Sequence, residues 1–178
     1  MINIYKLTDF AQEILLQNVK SKGTSVDFTL GRGNDAYFLS KHFEKVYAFD
    51  IQKECIDDFS QRNITNVQLI LDNNANIDKY INFFDCGMYN LGYLPKGNKN
   101  ITTEKEDTLC SISKALNMLN VGGYISVILY IGHKNGKDES DAILDLCSKL
   151  NNKIFNVSHL NLINKNQPPS IVLINKIR

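Results

Sequence analysis

Gly31 and Gly33 lie in the stretch SVDFTLGRGNDAYFL, residues 25–39, between an apolar strand pattern and a helical one. Glycine adopts positive φ without penalty and lets the backbone approach a ligand with no Cβ in the way. Asn34 or Asp35 is positioned to cap the following helix, whose first unpaired N–H groups would face the crevice where open α/β sheets hold ligands. Asp50 closes the next strand, KVYAFD, about 20 residues downstream, the spacing at which a carboxylate accepts hydrogen bonds from both ribose hydroxyls. Together these residues have the chemistry to hold a nucleotide-like cofactor. The plainer alternative is an ordinary strand-to-helix turn with a solvated aspartate.

A second group follows the later strands. Asp72 ends the strand NVQLIL and is placed either to accept from an adenine amino group or simply to form a turn. The segment Tyr89-Asn90-Leu91-Gly92-Tyr93-Leu94-Pro95 looks like the Asn-Pro-Pro-Tyr loop of amino methyltransferases. There, an Asn side chain and a neighbouring carbonyl accept hydrogen bonds from the target amine while the aromatic packs on the substrate. Positioning of this kind is the main contribution an enzyme makes to a transfer onto a nitrogen lone pair. In a turn without such a role, Asn90 would bond only the backbone. His133, in IGHKNGKDE, titrates in the range useful to a general base, or is an ordinary loop histidine. Lys96, Lys99 and Lys134 would flank an anionic substrate, or form a solvated surface.

These residues require a scaffold, and the chain supplies an alternating one. Leu7, Phe10, Ala11, Ile14, Leu15 and Val19 recur at helical spacing after the N-cap candidates Thr8 and Asp9. That helix should cover the sheet edge or one mouth of the crevice. Strands are expected over Ser25–Leu30, Lys45–Asp50, Asn66–Leu71, Phe83–Tyr89, Tyr124–Ile131, Phe155–Ile163 and Ser170–Ile177. Helices are expected over Asp35–Phe43, Lys53–Gln61, Glu104–Leu119 and Asp141–Leu150, with a short one around Ile77, Tyr80 and Ile81. Gly122 and Gly123 are read as the end of the long helix, and Pro168 and Pro169 exclude regular pairing in the last turn. The expected fold is α/β: a Rossmann-like, doubly wound, seven-stranded, mostly parallel sheet with a C-terminal antiparallel hairpin, in a single domain over 1–178.

At 178 residues, with 43% hydrophobic and 22% charged residues, the chain has the composition of one globular domain. Its net charge of +1 neither demands nor excludes nucleic acid, so any RNA contact must come from a local patch. Cys55, Cys86, Cys110 and Cys147 are scattered without metal-ligand spacing and read as buried, reduced thiols. With no signal-peptide pattern and no apolar run of membrane-spanning length, a cytoplasmic enzyme without a membrane partner is the expectation.

At DFTLGRGNDAYFLS, AFDIQ, LILD with DKYI, YNLGYLPKGNKNITT, the segment ending NVGGY and YIGHKNGKDE, the chain resembles class I S-adenosylmethionine-dependent methyltransferases. More narrowly, it resembles the MnmM (YtqB-type) family, formerly labelled rRNA methylases. The family usually has Ala and Thr where this chain has Phe28 and Ala36, and a His-Glu pair where it has Asn74 and Ala75. The resemblance implies S-adenosyl-L-methionine held by Asp27, Thr29, Gly31, Gly33, Asn34, Asp35, Asp50, Gln52, Asp72, Asn90 and Gly92, with Asn90, Tyr93 and His133 at the reacting amine and no metal. It further implies the tRNA anticodon loop as partner, N-methylation of wobble 5-aminomethyl-2-thiouridine, and a homodimer. Two readings from other classes compete. Gly31-x-Gly33-x-x-Ala36 also fits a nicotinamide dehydrogenase, and an RNA-binding domain without catalysis would need a basic face.

Overall fold

The runs VYAF, CGMY and VIL (residues 127–129) are apolar on consecutive residues, which commits their strands to burial on both faces. The computed structural model describes residues 7–91, 105–132 and 134–178. In chain order the elements are α1 (Leu7–Asn18), β1 (Thr24–Asp27), α2 (Asn34–His42), β2 (Lys45–Asp50), α3 (Lys53–Ser60), β3 (Val67–Leu71), a 3-10 helix (Asn74–Lys79) and β4 (Phe84–Leu91). These are followed by α4 (Lys105–Met118), β5 (Leu119–Leu129), α5 (Lys134–Ser148), β6 (Phe155–Leu160) and β7 (Ser170–Lys176).

The seven strands form one sheet in the order β3-β2-β1-β4-β5-β7-β6. Neighbours from β3 to β5 are parallel, and β7 runs antiparallel to both β5 and β6. The expected doubly wound sheet with its terminal hairpin is therefore the observed one. The chain winds outward from β1 to β3 and then returns to β4 beside β1, so the two windings part between the carboxyl ends of β1 and β4. Such a reversal is where open α/β sheets leave a ligand crevice.

Two cores cover the sheet. One holds Phe28, Phe49, Phe84, Tyr89 and Ile125 with Ile112 and Leu116 of α4 and Ile143 of α5. The other packs Leu7, Ala11 and Leu15 of α1 and Leu39 of α2 onto Val46, Met88, Ile128 and Ile171. A smaller cluster seats Phe59 of α3 beneath the glycine turn with Leu30, Ala36 and Ala48. Thus α1 and α2 lie on one face and α4 and α5 on the other.

Several local expectations are corrected. Gly122 and Gly123 do not end α4, because that helix stops at Met118 and β5 begins at once. They lie in an irregularity where pairing jumps from Phe84↔Leu119 to Cys86↔Tyr124. Gly122 has φ +82°, and a Cβ on Gly123 would fall 2.8 Å from the carbonyl oxygens of Asn120 and Asp85. Helix α5 starts at Lys134 rather than Asp141. Gly136 permits this, since a Cβ there would meet the Tyr130 carbonyl at 2.3 Å. Thr8 and Asp9 belong to the first turn of α1 instead of capping it. Cys110 is exposed on α4, while Cys55, Cys86 and Cys147 are buried; all four are free thiols.

Strand β1 ends at Asp27, yet its backbone remains tied to both neighbours: Phe28 N–H donates to the Met88 carbonyl at 2.9 Å and Leu30 N–H to that of Phe49 at 2.8 Å. The turn beyond closes when Gly33 N–H donates to the Leu30 carbonyl at 2.6 Å. Gly31 and Gly33 have φ +48° and +72°, but only Gly33 is also crowded: a Cβ there would lie 2.1 Å from Phe59 Cδ2. Gly33→Ala should therefore destabilise the protein by about 2–5 kcal/mol, combining left-handed strain with overpacking. Gly31→Ala should cost about 1–2 kcal/mol, from strain alone. Denaturant midpoints of the two variants check the difference, and equal losses would contradict it.

Candidate active site at the carboxyl ends of β1, β2 and β4

The glycine turn is fixed from the side by Asp50. Its Oδ2 accepts Gly31 N–H at 2.8 Å and its Oδ1 accepts Gln52 N–H at 2.9 Å, joining the loop after β1 to the start of α3. Gln52 is the N-cap of α3 through its backbone, with no side-chain cap bond. Gly33, rather than Asn34 or Asp35, holds the cap position of α2, again without a side-chain bond. Neither Asn34 nor Asp35 caps, because a left-handed Gly33 already turns the chain into the helix.

Asp35 is instead drawn inward. It is buried, accepts Gln12 Nε2 at 2.7 Å on Oδ1, and faces Asn90 Nδ2 across 3.5 Å on Oδ2. Asp27 lies deeper still and is completely inaccessible. Thr29 N–H donates to its Oδ1 at 3.0 Å, while Oδ2 has no hydrogen-bond partner. Burial pushes the Asp27 carboxyl well above the usual carboxylate range, the Asp35 charge pushes the same way, and the backbone N–H groups of Thr29 and Ala36 offset part of the effect. Asp35 is also raised, mainly by burial, against the hydrogen bonds from Gln12 and Asn90. Two buried acids with no cation beside them among the described residues form an acceptor site suited to a positively charged group.

Asn90 is fixed at both ends. Its backbone N–H donates to Thr29 Oγ1 at 2.8 Å, which ties the end of β4 to the loop after β1. Because Asp35 only accepts hydrogen bonds when ionised, the Asn90 amide must turn its nitrogen toward it, and the carbonyl oxygen is the end left for another donor.

At the other end of the crevice, Ile51 and Leu71 are exposed apolar side chains next to Asp50 in sequence and in strand register. Asp72 accepts from Asn73 N–H at 2.7 Å, Asn76 Nδ2 at 2.9 Å and Tyr80 Oη at 2.9 Å. Partial burial would raise its pKa, but these donors outweigh burial and hold it below the ordinary value. This geometry is that of a turn-forming aspartate. Among the expected site residues, Asp27, Thr29, Gly31, Gly33, Asn34, Asp35, Asp50, Gln52 and Asn90 share the crevice between β1, β2 and β4, with Asp72 at its rim. Gly92, Tyr93, His133, Lys96 and Lys99 lie outside the described residues, as does the side chain of Lys134. Among the described residues no group of three His, Cys, Asp or Glu could hold a metal, and no helix is long and apolar enough to cross a membrane.

Two of the residues at which this chain departs from the resembled family make contacts within the fold. Phe28 stacks on Tyr89 with ring centroids 4.0 Å apart and planes 8° from parallel. Asn74 is buried and donates to the Phe28 carbonyl at 2.8 Å, with its own oxygen unpartnered. Glu139, the acid of the GH-x-x-G-x-x-E segment, accepts Thr108 Oγ1 at 2.7 Å and so ties α5 to α4. Sequence reading missed Gln12, since a lone glutamine on an amphipathic helix gives no signal of its distant partner.

The raised carboxyl of Asp27 has a definite consequence for stability. Its folded-state pKa exceeds the unfolded value of about 3.9, so the folded protein retains a proton that the unfolded chain releases, and stability falls as pH rises through the raised pKa. Asp27→Asn should match the wild type near pH 4 and become progressively more stable than it toward pH 8. Denaturant midpoints across that range test this, and a pH-independent difference would contradict it.

Comparison with known proteins identifies the family. Residues 46–176 match the family described as "Putative rRNA methylase". The Arabidopsis thaliana "tRNA (mnm(5)s(2)U34)-methyltransferase, chloroplastic" is 30% identical over 164 residues, 78% of this chain and 57% of that relative. The chain thus spans little more than half of the length of that relative. A crystal structure of a putative rRNA-methylase from Clostridium thermocellum superposes with a TM-score of 0.90 at 36% identity, covering 96% of this chain and 97% of that one. SMU.1697c from Streptococcus mutans, solved in complex with SAH, gives 0.88 at 36% identity over 99% of each chain. This chain belongs to the rRNA methylase family of α/β methyltransferases.

Proposed function

We propose that this protein is an S-adenosylmethionine-dependent tRNA methyltransferase that N-methylates 5-aminomethyl-2-thiouridine at the wobble position to 5-methylaminomethyl-2-thiouridine. The observation that carries this reading is Asn90, held by Thr29 and Asp35 so that an uncharged acceptor oxygen stands beside a crevice rich in buried acid. The Arabidopsis relative named for this tRNA reaction and the SAH-bound Streptococcus mutans structure support it.

The residues fit the cofactor. When bound, S-adenosylmethionine supplies a methyl group on a positively charged sulfur. Asp50 would hold the ribose hydroxyls, with Ile51 and Leu71 offering apolar contact to a flat ring and Asp72 its edge. Gly31 leaves room for close approach, as a Cβ there would meet only the Thr29 carbonyl, at 3.8 Å. The Asp35 carboxylate, beside Asn90, suits the cationic end of the same molecule.

A primary ammonium has no free lone pair, so the substrate must lose a proton before attack. Asn90 is neutral and cannot take that proton, but its oxygen can accept an N–H of the free amine and direct the lone pair. Tyr93 would pack on the base, and His133 is the candidate proton acceptor. A wobble base already lies in a single-stranded loop and can be read by its edges and by stacking.

Mass spectrometry of nucleosides from tRNA carrying the aminomethyl group, incubated with the protein and S-adenosylmethionine, should show one added methyl at the wobble position. Methylation of rRNA alone, or none, would overturn the assignment. Asn90→Ala should lower kcat by up to about 10²-fold through lost orientation, with cofactor affinity nearly intact and no recovery at high pH. His133→Ala should recover partly at high pH, where free amine is abundant. Single-turnover rates across pH separate the two roles.

A further inference from the structure

A groove of about 570 Å³ runs between α1 and α2, lined by Asp9 and Gln12 on one side, Asn34, Tyr37 and Lys41 on the other, and reaching Asn90. Its volume is that of a small-ligand site, and its ends differ in charge. Near Asn90 lies Asp35, and the Asp9 charge acts on it. Lys41, two turns further along α2, brings positive charge to the same groove. Between the two, Tyr37 is 45% exposed.

The Tyr37 ring is not needed by the core, for the residues that α2 buries are Asp35, Ala36 and Leu39. Cations already lie over it, the Lys41 ammonium 4.8 Å from the ring centroid and the Arg62 guanidinium 5.9 Å, so a stacking base would take their place on the ring and meet them with its phosphates. Arg62 is held in place by its own contact over the Phe59 ring, at 4.8 Å, and by donating to the Arg32 carbonyl at 2.8 Å. An exposed aromatic between two cations, opening onto a groove, is the arrangement by which proteins hold single-stranded nucleic acid: bases stack on the ring while phosphates meet the charges.

We propose that this groove seats the nucleotide next to the methylated one, with its base stacked on Tyr37 and its phosphates held by Lys41 and Arg62. The inference rests on the RNA reading above and extends it to a neighbouring position. Lys41 is seven residues beyond Asn34 on one helix, about 10 Å along its axis, a span that fits an adjoining nucleotide rather than the reacting amine. The basic end then serves the backbone, away from the acids around Asn90.

The test is fluorescence anisotropy with an unmodified anticodon stem-loop RNA, run beside calorimetry with S-adenosylmethionine. Tyr37→Ala should weaken RNA binding by about 5- to 100-fold, as loss of one base–aromatic stack does, and Tyr37→Phe should stay within about twofold of wild type. Lys41→Ala, at an exposed position, should lower the log–log salt slope by about 0.7, the value for one phosphate on a single strand. Cofactor affinity should hold in all three. Wild-type RNA affinity in Tyr37→Ala, or an unchanged slope in Lys41→Ala, would overturn the groove assignment while leaving methyl transfer in place. A wild-type protein that binds the cofactor but no RNA would overturn the RNA reading and this inference together.

Discussion

The Asp50 carboxylate holds two loops with two oxygens, accepting Gly31 N–H from one and Gln52 N–H from the other. Those bonds set the distance between the glycine turn and the start of α3. The same α3 carries Phe59 against Gly33, so the turn is clamped by hydrogen bonding on one side and by packing on the other. A carboxylate has about four acceptor sites, so capacity remains for a ligand after Gly31 and Gln52 N–H and the Cys55 thiol are served. Asp50 can thus organise the loops and bind hydroxyls without giving up either role.

The second constraint is electrostatic and works against the fold. Asp27 and Asp35 are both buried, and each is raised mainly by the cost of leaving water. A sequence selected only for stability would place Asn or Ser there. With one at the end of β1 and the other in the first turn of α2, the two acids mark a site where stability is sacrificed to ligand chemistry.

The sheet was legible because the parallel strands carry short apolar runs bounded by turn residues, and β2 was placed to the residue. The site was legible where chemistry demands one residue type at one strand end: glycine at 31 and 33, carboxylate at 50, amide at 90. Failures occurred where tertiary contact overrides local preference. Gly122 and Gly123 read as a helix stop, yet their freedom serves a strand irregularity against β4. Seven residues of α5 read as loop, because Lys134–Ser140 carry polar residues and a glycine whose need is visible only beside the Tyr130 carbonyl. The bond between Gln12 and Asp35 spans two helices, and neither residue alone announces it.

The stacked pair Phe28 and Tyr89 also bears on how this sequence can change. Gly87 lies beneath it, and a methyl group at that position would stand 3.0 Å from Phe28 Cε2, 3.1 Å from Phe84 Cε2 and 3.4 Å from Ile125 Cγ1. The glycine answers to Phe28, Phe84 and Ile125 at once, so shrinking Phe28 alone would still leave the Phe84 ring against a methyl group at 87. Changes at 28, 84 and 87 share one small volume, and their effects on stability should not add although none of the three touches a reactant.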